Sequence, residues 1–453
     1  MLQGFLFPGV YICNMQISHL YKIYQQYPSV QTDTRKLKPG DIFFALKGNN
    51  FNGNTFSKQA IVSGASYSVI DEAAYEIPGK TILVDDVLDT LQQLAKYHRQ
   101  QFKNLSRPFG IPFIAITGSN GKTTTKELIH AVLSTTYKTY TTEGNLNNHI
   151  GVPLTILKIK SDAEIAVIEM GANHQKEIES YCKYALPTHG LITNCGKAHL
   201  EGFINEAGVR KGKGELFDYL RANNGTAFIM NDYEYLLEMS QGISQIIKYG
   251  SCLPVGKAVN ADIEGIAINN ETQLAVEITK GSFTGKIKTQ LVGDFNLPNV
   301  LAAVTVGVYF KVPAEKIKSA IENYVPSNSR SQLIEKGTNK IILDAYNANP
   351  SSMKLAIENF AKVKDGKKIL ILGAMAELGK ESEHEHQQII SLIRKYNWDE
   401  VLLVGENFNN LNHPYKKFSS SNDAKEWFKN QHFQNTFFLV KGSRSTQMEK
   451  IVE

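Results

Sequence analysis

Short β-branched runs alternate with segments of helical spacing along most of this chain. Ile42–Leu46, Tyr67–Ile70 and Thr81–Val84 read as strands, and Leu88–Phe102 reads as a helix leading to a linker near Ser106-Arg107-Pro108. Further strands are predicted at Phe113–Thr117, Ile165–Ile168 and Gly190–Thr193, with helical stretches between them. Gly293–Asn299 opens a helix at Val300–Tyr309. A last set of strands, Lys340–Leu343, Lys368–Leu372, Glu400–Val404 and Thr436–Val440, again alternates with helices. The pattern predicts an α/β protein of three domains. These are a small N-terminal α/β domain (1–106), a central P-loop ATPase-like, mainly parallel sheet (107–325), and a C-terminal doubly wound, Rossmann-like domain (326–453).

Composition narrows the class. At 453 residues the chain is long for one core, and 42% hydrophobic with 21% charged residues is a globular balance. No run of apolar residues is long enough for a membrane span. The first thirteen residues are apolar but lack a basic region and a small-residue cleavage site, and Pro8-Gly9 interrupts them. A signal peptide is therefore not expected, and Met15 is the expected start after an extension. Cys13, Cys182, Cys195 and Cys252 show no metal or disulfide spacing, so a reducing cytoplasm is expected. The net charge of +5 comes without a dense basic run, which argues against nucleic acid and suits anionic nucleotides.

The chemistry concentrates after the strand Phe113–Thr117. Gly118-Ser119-Asn120-Gly121-Lys122-Thr123-Thr124 forms a strand–loop–helix passage, the context a phosphate-binding loop needs. The glycines free backbone N–H groups, and the helix N-terminus adds donors and partial positive charge. Lys122 can reach the β- and γ-phosphates, and the Thr123 hydroxyl can sit on Mg²⁺. The general motif would place its first glycine at position 116, which is Ile116 here, so this is a compact form of the loop. Two more strand ends carry candidates. Glu169 follows Ile165–Ile168, where an acidic Mg²⁺ ligand belongs, though a solvated or capping glutamate is an alternative. His199 follows Gly190–Thr193 and is either a ligand or a structural histidine. Lys211 and Lys213 lie in a helix start and read as charge complementarity for phosphates.

The compact loop resembles that of the Mur ligase and folylpolyglutamate synthetase superfamily. Thr142–Asn148, Glu169–Asn173, Ala198–Glu201 and Lys213–Phe217 continue the resemblance to Mur ligases. Leu343–Met353, Leu372–Gly379, Val440–Ser445 and Thr32–Gly48 resemble the branch that adds a dipeptide, from about Met15 to the end. Some positions depart from the pattern. Phe51-Asn52-Gly53-Asn54 stands for Phe-Asp-Gly-His, Cys195 for an aliphatic residue, Phe295 for His, and Leu343 for an acid.

The resemblance implies an ATP- and Mg²⁺-dependent ligase that adds D-alanyl-D-alanine to UDP-N-acetylmuramoyl-tripeptide through an acyl phosphate, as a cytoplasmic monomer in peptidoglycan synthesis. It implies Gly118, Ser119, Asn120, Gly121, Lys122, Thr123, Thr124 and Asn145 around the phosphates, and Asn296 and Asn299 on the adenine side. Arg330 would reach a phosphate and Asp344 the ribose. Thr123 and Glu169 would hold one Mg²⁺, and His199 with a carbamylated Lys213 a second. Thr34 and Arg35 would bind the UDP-muramoyl side, and Asn347 and Asn349 would bind substrate. The loops 374–379 and 441–444 would help hold the dipeptide or the acceptor's peptide tail. Other readings are a superfamily ligase that adds a single amino acid or a folate glutamate, and a non-ligase P-loop protein.

Overall fold

The computed structural model describes residues 16–103, 110–251, 261–268, 273–327, 329–363 and 366–453. The apolar start, Met15, Cys13, Cys252 and the linker at 106–108 lie outside the described residues. Three main sheets organise the α/β fold. The contacts gather into two compact units. One is Met1–Phe113 with Tyr140–Met170 and Glu179–Pro187; the other is Ile114–Thr139 with Gly171–Ile178 and Thr188–Glu453.

In the first unit, Val30–Gln31, Ile42–Phe44, Tyr67–Ile70 and Thr81–Leu83 form a parallel sheet in that order. The strand expected to reach Leu46 stops at Phe44, because the Leu46 N–H turns back to the Phe44 carbonyl at 2.9 Å. The helix expected from Leu88 starts one residue earlier, at Val87, because the Asp86 side chain caps it by accepting the Asp89 N–H at 2.7 Å. That helix, Val87–Gln100, buries Leu91, Leu94, Ala95, His98 and Arg99 along one face. Arg99 donates to the carbonyls of Ile111, Ala185 and Leu186 at 3.2–3.4 Å. Its guanidinium lies 3.7 Å from the centre of the Phe113 ring. One buried cation thus ties three chain segments together.

In the second unit, parallel strands run in the order Phe113–Thr117, His189–Ile192, Thr226–Met230, Gln245–Ser251 and Ile263–Ile268. Gln273–Lys280 and Gly285–Val292 then extend the sheet antiparallel, a departure from simple α/β alternation. Leu274, Val276 and Ile278 are buried while the residues between them are partly exposed, which suits a sheet covered on one face. The helix expected at Val300 begins at Leu297, with Pro298 in its first turn, where proline's missing N–H costs nothing.

The C-terminal sheet has six strands in the order Gln332–Lys336, Asn339–Asp344, Thr436–Lys441, Lys367–Gly373, Glu400–Val404 and Lys416–Phe418. Only the first pair is antiparallel. Apolar clusters cover both faces, Leu370 and Leu372 on one side and Ile369 and Ile371 on the other, as a doubly wound sheet requires.

Arg99→Met should leave three buried carbonyls short of a donor and destabilise the first unit by about 2–4 kcal/mol. Urea titration should show an earlier first transition. An unchanged midpoint would contradict the bridging role.

Candidate active site

The phosphate loop is shaped from behind. Gly118 has φ +143, and a β-carbon there would lie 2.0 Å from the Thr193 Oγ1. Gly121 has φ +79, the left-handed region, and its β-carbon would lie 2.6 Å from the Asn299 Oδ1. The strand end after His189–Ile192 therefore presses directly onto the loop. Asn194 locks the contact: its carbonyl accepts the Ser119 N–H at 2.8 Å, and its Oδ1 accepts the Asn120 N–H at 3.1 Å. Its Nδ2 and the Thr193 hydroxyl both donate to the Asn120 carbonyl, at 3.0 and 2.6 Å. The Ser119 hydroxyl donates to the Gly196 carbonyl at 2.8 Å.

The Ser119 and Asn120 N–H groups thus hold the loop's shape. Anion donors must come from the start of the helix Lys122–Ser134, where Gly121 provides no side-chain cap and the first-turn N–H groups lack intrahelical acceptors. Thr123 is buried in that turn and Thr124 is half-buried. Lys122 Nζ rests at the mouth of the loop, 2.7 Å from the Gly118 carbonyl and 3.2 Å from the Ser119 carbonyl.

Asn296 and Asn299 are buried behind the loop. Thr125 Oγ1 donates to Asn299 Oδ1 at 2.9 Å, Asn299 Nδ2 donates to Asn296 Oδ1 at 2.8 Å, and Asn296 Nδ2 donates to the Val292 carbonyl at 2.8 Å. The structure places both amides in this internal chain.

Lys213 is fully buried and donates to the Ala172 carbonyl at 2.7 Å. Burial, assisted by the nearby Lys122 charge, pulls its pKa down to about 7. Lys211, two residues away, is exposed. A β-carbon on Gly212 would meet the Phe203 ring at 2.5 Å, so that ring packs closely against the helix beside Lys213. His199 Nδ1 lies 2.7 Å from Glu377 Oε2. The adjacent His199 ring and the charge of Lys122 hold the Glu377 carboxyl below its ordinary value.

The C-terminal sheet brings more groups to the loop. Asn349 caps the helix Pro350–Ala361 and donates from Nδ2 to Asn120 Oδ1 at 2.8 Å. Ser351 Oγ accepts the Lys197 N–H at 2.9 Å, and Lys197 Nζ pairs with Glu385 at 2.7 Å. Asp344 accepts the Ser331 N–H at 3.1 Å and pairs with Lys441 Nζ at 2.5 Å. The Arg330 guanidinium stacks 3.5 Å from the centre of the Tyr346 ring, and its buried Nε has no hydrogen-bond partner. Asn347 is exposed, and its side chain accepts the Ala348 N–H. Asn194 and Lys197 had no assigned role in the sequence analysis, and Glu377 was included only as part of the loop 374–379 expected to help hold the peptide. Asn194 and Lys197 stand beside the His199 motif, a positional signal that could have found them.

In the first unit, Glu169 is buried at the end of its strand. It receives Asn147 Nδ2 at 2.7 Å, and its N–H donates to the Thr142 hydroxyl at 2.9 Å. Asn147 therefore holds Glu169, while Asn145 is exposed in the same loop. Thr34 and Arg35 lie in a short 3₁₀ turn, with Arg35 paired to Asp33 at 2.9 Å. Asn52 and Asn54, where the family pattern has Asp and His, brace their loop: Asn52 donates to Glu72 and Asn54 to Asp71.

These residues fit a nucleotide: the loop's two glycines admit no β-carbon, and its mouth holds a lysine. Among the described residues, no three His, Cys, Asp or Glu side chains gather into a metal cage. Mg²⁺ commonly takes one or two protein oxygens together with substrate phosphates, and a buried P-loop threonine suits that mode.

The sequence matches the Mur ligase family, catalytic domain over residues 26–99, the Mur ligase middle domain over 116–307, and the Mur ligase, glutamate ligase domain over 329–444. A UDP-N-acetylmuramoyl-tripeptide–D-alanyl-D-alanine ligase of Bacillus subtilis is 34% identical, covering 94% of this chain and 92% of the relative. The Escherichia coli enzyme of that name is 35% identical with the same coverage. This chain belongs to the Mur ligase family. A crystal structure of MurF from Acinetobacter baumannii superposes with a TM-score of 0.84 at 28% identity, covering 96% of this chain and 97% of that one. Within the family fold, the middle-domain match contains the phosphate loop, His199 and Lys213, and the C-terminal match contains Asp344, Asn349 and Glu377. No helix among the described residues is long and apolar enough to cross a membrane.

Gly121→Ala should strain the backbone by about 1–2 kcal/mol and push the new methyl into Asn299. Calorimetric titration should show nucleotide affinity reduced tenfold or more, with circular dichroism unchanged. Wild-type affinity would contradict the assignment of this turn.

Proposed function

We propose that this chain is an ATP-dependent, ADP-forming ligase that joins D-alanyl-D-alanine to UDP-N-acetylmuramoyl-tripeptide, giving the pentapeptide precursor of peptidoglycan. The observation that carries this reading is the end-to-end similarity, 34–35% identical over 94% of the chain, to relatives named for that reaction. The contact of Asn349 with Asn120 supports it, because it brings the 343–353 signature segment of this branch onto the nucleotide loop. We place the domain limits at 1–106, 107–325 and 326–453, and the protein in the cytoplasm as a monomer.

The chemical problem is that a carboxylate repels a nucleophile. Transfer of the γ-phosphoryl group to the tripeptide's terminal carboxylate removes that charge and installs a leaving group. The amine of D-alanyl-D-alanine then attacks the acyl phosphate, and phosphate departs. The protein's work is positioning and charge neutralisation. Lys122 and the first-turn N–H groups neutralise the transferring phosphates. Thr123 and Glu169 would be oxygen ligands for Mg²⁺, which would offset phosphate charge. Arg330 and Asp344 serve the nucleotide, Thr34 and Arg35 the UDP-muramoyl moiety, and Asn347 and Asn349 the acceptor side.

Lys213 has a distinct task. Its depressed pKa leaves much of the amine neutral near pH 7, and a neutral amine condenses with carbon dioxide to give a carbamate and a proton. The product would be an anionic oxygen donor, a better partner for a hard cation than an ammonium.

ADP release should require the muramoyl tripeptide and D-alanyl-D-alanine together, apart from slow leakage, and mass spectrometry should find the pentapeptide product. Lys122→Ala should abolish turnover without unfolding the protein. ADP release that ignores the dipeptide would favour a non-ligase nucleotide-binding protein, and a product carrying one added amino acid would favour another ligase of the superfamily.

Lys213 gives a signed pH dependence. Protonation blocks the carbamate, so ¹³C-carbon dioxide labelling at Lys213 should rise as pH climbs through about 7 and fade in acid. Lys213→Ala should be inactive and partly rescued by a small carboxylate, whereas Lys211→Ala should be mild. An unlabelled Lys213 in active enzyme would overturn the carbamate.

A further inference from the structure

We infer that Glu377 is a positioning residue for His199: its carboxylate holds the Nδ1 proton and leaves Nε2 to face the site. The inference rests on reading His199 as a ligand beside the phosphate loop.

The loop that carries Glu377 is fixed by three different elements. The Ala374 N–H donates to the Val404 carbonyl at 2.9 Å, the Met375 N–H to His386 Nε2 at 3.0 Å, and the Ala376 N–H to Ser443 Oγ at 2.8 Å. His386 is itself fully buried, with Nδ1 2.6 Å from the Ser382 carbonyl, so its Nε2 is the acceptor. Ser443, in the 441–444 loop, thus braces this loop. The next residue, Glu377, is then delivered at φ +61, in the left-handed region. A non-glycine residue there costs about 1–2 kcal/mol. Glycine would remove that cost, and Gly379 adopts φ +54 two residues on. Strain of this kind at a site points to a demand for the side chain.

Its target is strained as well. His199 has φ +52 and begins the short helix Leu200–Phe203. The Glu377 loop grips this turn twice. The Glu377 carbonyl accepts the Glu201 N–H at 3.2 Å, and Glu377 Oε2 stands 2.7 Å from His199 Nδ1. Nδ1 is buried and has no other partner, although it is not fully aligned with the carboxylate. A small ring rotation completes the bond, a common adjustment when a site is engaged. With Nδ1 protonated toward Glu377, Nε2 presents its lone pair. A carboxylate behind an imidazole fixes its tautomer and orientation in this way, and losing it typically costs roughly 10–100-fold.

The test compares Glu377→Gln and Glu377→Gly in full-length protein labelled with ¹⁵N-histidine, with His199→Ala used to assign the signal. Without metal or nucleotide, wild-type His199 should be the Nδ1–H tautomer. Glu377→Gln, whose amide oxygen can still accept, should keep it. Glu377→Gly should shift His199 toward Nε2–H and lower kcat about tenfold or more with KM for ATP little changed. Its Tm should hold or rise, since glycine relieves the backbone. A wild-type Nε2–H tautomer, or one unchanged in Glu377→Gly, would overturn the inference. If His199→Ala ligates normally, the reading of His199 fails, while the tautomer result still decides the pairing with Glu377.

Discussion

Everything at this site depends on the closeness of Gly118 to Thr193. No side chain fits between them, so the end of one parallel strand becomes the rear wall of the loop that leaves its neighbour. Asn194 then satisfies two loop N–H groups and shares the Asn120 carbonyl with Thr193. The loop's curvature is set by these partners rather than by an anion. A preorganised loop loses little further freedom on binding phosphate, and this is what makes a short backbone cradle effective.

The same wall determines the electrostatics. Lys122 and Lys213 are close enough that one charge depresses the pKa of the other, and burial drives Lys213 further toward its neutral form. Two ammonium groups in one pocket would be costly. Lys122 sits at the loop mouth, and burial together with the Lys122 charge holds Lys213 well below the ordinary lysine pKa, which is the property the proposed carbamate requires. His199 and Glu377 add an imidazole and a carboxylate 2.7 Å apart. Asn349, Ser351 and Glu377, all from the C-terminal sheet region, reach residues 120, 197 and 199 directly, so nucleotide loop and ligase module form one structural unit.

Much of this was legible in the sequence. The loop showed itself because its glycines, lysine and threonines are contiguous and sit between a buried strand and a helix. The C-terminal strands were legible because Ile369–Leu372 and Val401–Val404 are apolar on both faces. The sequence analysis assigned no strand to the antiparallel extension at 273–292, although Leu274, Val276 and Ile278 alternate with partly exposed residues there. Asn147, Asn194 and Glu377 did not show their roles. Each acts through hydrogen bonds or contacts to one short segment distant in sequence, and such partners leave no periodic trace. Asn296 and Asn299 were visible as residues, but their commitment to each other and to Thr125 depends on packing that only the fold supplies.

The central claim is that this site activates a carboxylate by phosphorylation at the Gly118–Thr124 loop. The most direct measurement follows an oxygen atom. Muramoyl tripeptide labelled with ¹⁸O in its terminal carboxylate is turned over with ATP, Mg²⁺ and D-alanyl-D-alanine, and the released phosphate is weighed by mass spectrometry. The account predicts one ¹⁸O in each phosphate formed, because the oxygen that bridges to phosphorus leaves with it. Unlabelled phosphate alongside a completed amide bond would contradict it.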